Sequence, residues 1–110
     1  MAKFEIEKSL NGTFYYHLRA TNNYEIVLRG TQYKTKNACH TDIDAAKTNA
    51  SNSTRYEKKR AVDGQYYFNL KNAAGSVVGT SEMYTTEAKR DHGIEVVKEQ
   101  APTAPVYDLT

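Results

Sequence analysis

Apolar residues recur at every second position in two stretches of the chain. Phe14, Tyr16 and Leu18 alternate with Tyr15, His17 and Arg19, and Tyr66, Phe68 and Leu70 alternate with Tyr67, Asn69 and Lys71. A two-residue period predicts strands with one buried face. Upstream, Phe4 and Ile6 continue the first pattern. Placing them on the face of Tyr16 and Leu18 sets Phe4 opposite Leu18, Ile6 opposite Tyr16 and Lys8 opposite Phe14, and leaves Leu10-Asn11-Gly12 as a three-residue loop. Such loops end on a residue at positive φ, a conformation glycine adopts without steric cost, and Val62-Asp63-Gly64 repeats the arrangement. A third strand is expected near residues 25–30 and again near 76–81. Its buried face stays open, because Ile26-Val27-Leu28 is apolar at every position.

After Tyr33 and Tyr84 the period becomes helical. Thr35 and Thr86 are placed to cap, and Cys39, Ile43, Ala46 and Ala50 fall at i, i+4, i+7 and i+11, matched by Ile94, Val97 and Ala101. Gly93 inside the second helix costs up to about 1 kcal/mol relative to alanine, which predicts a weaker helix or a close packing partner. Pro102 and Pro105 end that helix, and residues 106–109 read as one short final strand.

The two halves are copies. A slide of 52 residues lays residues 4–21 over 56–73, with identities at Glu5/Glu57, Gly12/Gly64, Tyr15/Tyr67 and Leu18/Leu70. A slide of 51 lays residues 25–50 over 76–101, with six more identities that include Tyr33/Tyr84, Thr35/Thr86 and Ile43/Ile94. The one-residue slip falls where Asn22-Asn23-Tyr24 faces Ala74-Gly75, in a loop, where length changes are tolerated. Each unit is β-β-β-α and too small to bury much surface alone. The expectation is one α+β domain over residues 1–110, made of a first repeat at 3–51 and a second at 54–110. Its tandem β-β-β-α(-β) units form one largely antiparallel sheet with two helices on one face.

The start MAKFEIEK, the Asn-Gly loop before alternating aromatics, the helix entry from Tyr33 to Cys39, and the ending Ala101-Pro102 through Val106-Tyr107-Asp108-Leu109-Thr110 together resemble the YegP-like family of small duplicated bacterial proteins. The resemblance covers essentially the whole chain. It implies units merged into one sheet, with the last strand of each exchanged to the other half, and it brings no catalytic residues. The chain departs from the family pattern at Lys58, where the first copy has Ile6, and at Arg90, where it has Cys39.

Composition adds constraints. Leu, Ile, Val and Phe total only 19 of 110 residues, while tyrosine alone contributes nine, so tyrosines are expected to serve as core material. The longest apolar stretches are three residues, far from the roughly 20 of a membrane span, and MAKFEIEK lacks the apolar run of an export signal. A lone cysteine permits no internal disulfide and fits a reducing cytoplasm, so a cytoplasmic location is expected.

Little in the chain points to catalysis. His40 and Asp44 share a helix face, but neither His17 nor His92 repeats His40, so an ordinary solvated face is the better reading and no metal is expected. Cys39 sits on the apolar stripe as a small hydrophobe rather than a nucleophile. Glycines are scattered singly at turns, without a phosphate-cradling loop, and no cofactor is expected. The chain reads as a non-enzyme.

If Phe14, Tyr16 and Leu18 point to the helices, then Tyr15, His17 and Arg19 face the other way, joined by Tyr67, Asn69 and Lys71. Those six residues form the candidate interaction face. The first reading of the face is a protein-interaction or structural module, through a foreign partner or self-association. The second is weak single-stranded nucleic-acid binding, since rings interleaved with cations can stack bases and contact phosphates. A net charge of +2 is a slight footprint for that second role.

Overall fold

The computed structural model describes residues 1–21 and 23–110; Asn22, in the loop where the slip between repeats falls, lies outside the described residues. The first unit contributes β1 (Lys3–Lys8), β2 (Phe14–Arg19), β3 (Ile26–Arg29) and α1 (Lys36–Asn49). The second contributes β4 (Tyr56–Arg60), β5 (Tyr66–Lys71), β6 (Val77–Thr80), α2 (Glu87–Gln100) and a terminal β7 (Val106–Asp108). The seven strands among the described residues form one sheet in the order β4-β5-β6-β3-β2-β1-β7, in which the β1–β7 pair is parallel and the other five pairs are antiparallel.

The hairpins follow from the alternation. Phe4 pairs with Leu18, Ile6 with Tyr16 and Lys8 with Phe14, as the shared apolar face requires. Ser9 N–H donates to Thr13 C=O at 2.8 Å and Ala61 N–H to Gln65 C=O at 2.7 Å, closing the two three-residue loops. Their glycines stand at φ +86° and +88°.

The third strands resolve what alternation left open. Leu28 pairs with Leu18 but Ile26 pairs with Arg19, so Val27 is the extra residue of a bulge. The same break recurs in the other copy, where Leu70 pairs with Gly79, Lys71 with Val77, and Val78 is extra. A bulge re-aims one side chain, so two consecutive residues can be buried. Val27 lines a cleft with His92, Gly93 and Val96 of α2, and both Val27 and Leu28 are buried. No uniform period describes such a strand.

Both helices begin as their sequences suggest, with Thr35 Oγ1 accepting from Ala38 N–H and Thr86 Oγ1 from Lys89 N–H. Cys39, Ile43 and Ala46 of α1 and Ile94 and Val97 of α2 enter a core completed by Phe4, Ile6, Tyr16, Leu18, Leu28, Phe68 and Leu70. The packing crosses the duplication: α1 rests on β2, β5 and β6, and α2 on β3 and β5. Neither unit owns its core, which is how two units of about 50 residues become one stable body. Burial pushes the Cys39 thiol up to about 11, helped by the carboxylates of Asp42 and Asp108.

Gly93 has its close packing partner. In the first copy Tyr33 O–H donates to Asp42 at 2.7 Å. Gly93 replaces Asp42 in the second copy, and a Cβ built there would lie 2.5 Å from the hydroxyl of Tyr84. The tyrosine fills the space the aspartate occupies in the other unit. Gly93→Ala therefore sets a propensity gain of up to about 1 kcal/mol against displacement of a rigid ring, and a net loss of about 1–2 kcal/mol is expected in urea unfolding. A more stable variant would mean that the ring yields freely.

The chain changes halves after each helix. The strand after α1 is β4, which pairs with β5 in the second half, and the strand after α2 is β7, which lies on β1 in the first. β4 thus forms an outer edge, with Lys58, Lys59 and Arg60 exposed along it. The departures at Lys58 and Arg90 answer one another: Lys58 Nζ and Arg90 Nε each stand 3.2 Å from Asp91 Oδ1, and Arg90, only 8% exposed, stacks over Tyr66. A charged trio stands where the first half has Ile6 and Cys39.

Candidate interaction face

The sheet surface turned away from the helices carries all six candidate residues. Their environments come from the strand register, which sets Glu5 opposite His17 and Glu57 opposite Asn69. Glu5 is the hub of the first half. Its Oε1 accepts from Arg19 Nε at 2.7 Å and lies 2.8 Å from His17 Nε2, while Lys3 Nζ stands 3.3 Å from Oε2. Burial by itself would raise the Glu5 carboxyl, but the hydrogen bonds from Arg19, His17 and Lys3 together outweigh it and hold the group at about 2. An ionised carboxylate only accepts, so His17 Nε2 carries the proton in that bond.

The second half repeats the hub in a more open form. Asn69 Nδ2 donates to Glu57 Oε1 at 3.1 Å, and Lys71 Nζ lies 3.1 Å from Oε2. Asn69 also accepts from Thr80 Oγ1 at 2.8 Å. Glu57 is held below the usual carboxylate range by Asn69 and Lys71. The two hubs differ in cover. β7 lies beside β1 and sets Tyr107 next to Glu5, leaving Glu5 7% and His17 5% exposed, whereas nothing among the described residues flanks the outer side of β4.

The six residues therefore share a face without forming one open surface. His17 is buried and committed to Glu5, which closes it to a ligand. Arg19 also donates from Nη1 to Tyr24 C=O at 2.9 Å, and Lys71 is committed to Glu57. Between the halves Arg29 pairs with Glu82. Tyr15 and Tyr67 are half-buried, with Tyr15 tilted against His17 at 6.3 Å between ring centres. The glutamate hubs went unremarked in the sequence, although the Glu5/Glu57 identity together with the derived register pointed to them.

Protonating Glu5 should loosen the first half. Its folded value lies below the ordinary 4.5, so the stabilisation is complete above pH 4.5 and disappears as pH falls toward 2. Glu5→Gln is expected to cost about 2 kcal/mol at pH 7 and almost nothing near pH 2, read from urea midpoints at both values. An equal cost at both would remove the charge from the explanation.

The geometry defines a class: a small tandem-repeat α+β protein whose two β-β-β-α units share one sheet, one core and a mirrored pair of glutamate hubs. The model for a domain of unknown function, DUF1508, matches the chain twice, at residues 9–57 and 61–108. The chain is 42% identical over 106 residues to the UPF0339 protein in the ptx operon 5' region of Stutzerimonas stutzeri, covering 96% of this chain and 95% of that one. It is 37% identical over 107 residues to the UPF0339 protein YegP of Escherichia coli K12, covering 97% and 96%. The solution NMR structure of a UPF0339 protein from Shewanella oneidensis superposes with a TM-score of 0.92 at 38% identity, over 99% of this chain and 92% of that one. The chain belongs to the UPF0339, YegP-like family of duplicated DUF1508 proteins, as the resemblance implied. No helix among the described residues is long and apolar enough to cross a membrane.

Proposed function

We propose that the chain is a non-enzymatic, cytoplasmic protein-interaction module whose two units, residues 3–51 and 54–110, present one face centred on Tyr15 and Tyr67. The observation that carries this reading is the internal pairing of the face's cations. Arg19 and Lys71 each meet a carboxylate of the neighbouring strand and Arg29 meets Glu82 in the segment after β6, so what the face offers a partner is tyrosine surface rimmed by neutralised polar groups. Half-buried tyrosines in polar surroundings are favoured in protein recognition, where a ring contributes area at low entropic cost. A photo-crosslinking residue placed at Tyr15 or Tyr67 in living cells is expected to trap the same protein from both positions, and one placed at the exposed loop residue Leu10 is expected to trap none. Adducts that do not differ between face and loop would defeat the reading.

Single-stranded nucleic acid is the second reading, supported by the alternation of rings with His17, Arg19 and Lys71. It requires Arg19 and Lys71 to leave their carboxylates for phosphates. A labelled oligonucleotide titrated at low and moderate salt decides: salt-sensitive binding lost in Tyr15→Ala and Tyr67→Ala would replace the first reading with this one.

A further inference from the structure

The duplication makes two equivalent slots, and the chain fills one. In the first half, the segment after α2 runs between β1 and α1: Ala104 is buried, Phe4 N–H donates to Pro105 C=O at 2.8 Å, Val106 and Asp108 pair with Phe4 and Ile6, and Leu109 N–H donates to Ile6 C=O at 2.9 Å. Under the repeat, Phe4, Ile6 and Ile43 become Tyr56, Lys58 and Ile94. Those three residues line an open groove of about 420 Å3 between β4 and α2, together with Asp91, Glu95 and Lys98.

The backbone of β4 is poised as that of β1 is. In an antiparallel pair, alternate residues turn their N–H and C=O toward the partner strand. Ala61 bonds toward Gln65 as Ser9 bonds toward Thr13, so Glu57 and Lys59 turn toward β5, and Tyr56 and Lys58 turn outward. Tyr56 N–H is taken by Ser53 C=O. Tyr56 C=O and both backbone groups of Lys58 remain for an added strand.

We propose that the slot between β4 and α2 takes an extended acidic segment of a partner protein, paired in parallel with β4 as Val106–Asp108 pairs with β1. The charges choose the occupant. In the filled slot Asp108 sits opposite Ile6 and pairs with Lys36 at 3.0 Å. In the open slot Glu87 stands in the place of Lys36, but Lys58 stands in the place of Ile6, directly opposite the position of an incoming acid. Lys98 lines the same groove, and Lys58 and Lys98 are held there by Asp91 and Glu95 at 3.2 and 3.3 Å, so an apolar residue followed two positions later by a carboxylate fits the slot by taking the place of Asp91 on Lys58. A second copy's β4 laid antiparallel on this edge would bring two lysine-rich strands together, which disfavours self-pairing. The proposal shares with the proposed function the idea of a protein partner but uses a different surface, so crosslinking at Tyr15 and Tyr67 can fail without touching it.

The probe is a labelled peptide copying residues 101–110, APTAPVYDLT, added to the intact protein. Micromolar binding is expected, with amide shifts at Tyr56, Lys58 and Ile94. Lys58→Glu, or lysine in place of the peptide's aspartate, should weaken binding at least tenfold, and the two changes together should restore it. The peptide change leaves the protein intact, so the result stands even if Lys58→Glu folds poorly. No binding at 1 mM, shifts confined to Phe4 and Ile6 as the peptide displaces the chain's own tail, or binding indifferent to the peptide's charge would each overturn the proposal. Concentration-dependent self-association abolished by Lys58→Glu would assign the slot to a second copy instead.

Discussion

Gly30→Ala is expected to lower stability by about 3 kcal/mol, at the upper end of what overpacking costs. A Cβ at residue 30 would lie 2.3 Å from Cε2 and 2.5 Å from Cδ2 of Tyr16, and 2.7 Å from the hydroxyl of Tyr33. Neither ring can retreat. Tyr16 is fully buried and its hydroxyl donates to Val78 C=O in the other unit, while the hydroxyl of Tyr33 is tied to Asp42 and its backbone bonds Phe14 in both directions. The second copy solves the same position differently: Ser81 stands for Gly30 and Phe68 for Tyr16, and Ser81 Oγ accepts from Phe68 N–H at 3.0 Å. Tyr16→Phe frees the first ring from its anchor, so Gly30→Ser combined with Tyr16→Phe should recover at least 1 kcal/mol of the sum of the single losses. Strict additivity in urea unfolding would show that the two positions do not share their space.

That pair of residues also marks where sequence reading stops. The hairpin registers, the helix starts and the buried positions of β2 and β5 follow from local period, because each strand there has one covered face and each helix one apolar stripe. Tyr16 and Phe68 look interchangeable in that pattern. What separates them is a hydroxyl that reaches Val78 across the junction of the two units, a contact no local pattern encodes. The bulges at Val27 and Val78 are hidden for a related reason, since an inserted residue breaks the alternation from which the faces are read. The open face shows the third limit. Alternation sets His17 on the side of the sheet away from the helices, but its burial comes from Glu5 and from β7, a strand that arrives from the other end of the chain.

Removing Pro105–Thr110 should cost about 3 kcal/mol, because it strips a strand from β1 and uncovers part of the core beneath it. The lost interactions are specific: the bonds from Phe4 N–H to Pro105 and from Leu109 N–H to Ile6, the ion pair of Asp108 with Lys36, and the cover that Val106 gives the core. Phe4 and Ile6, now fully buried, would then line an open edge with unpaired backbone groups, the condition that invites aggregation. The loss should extend to the open face, since Tyr107 beside Glu5 keeps water from the first hub. With that cover gone, Glu5 resembles Glu57, and Glu5→Gln should cost the truncated chain less than it costs the intact one at pH 7. The first half would come to match the second, with a bare outer strand and a hydrated hub. Because the tail binds only the folded form, a peptide copying residues 101–110 should raise the urea midpoint of the truncated chain in proportion to the logarithm of its concentration. A truncated chain with an unchanged midpoint would mean that β7 contributes no stability and that the exchange of strands between the halves is incidental to the fold.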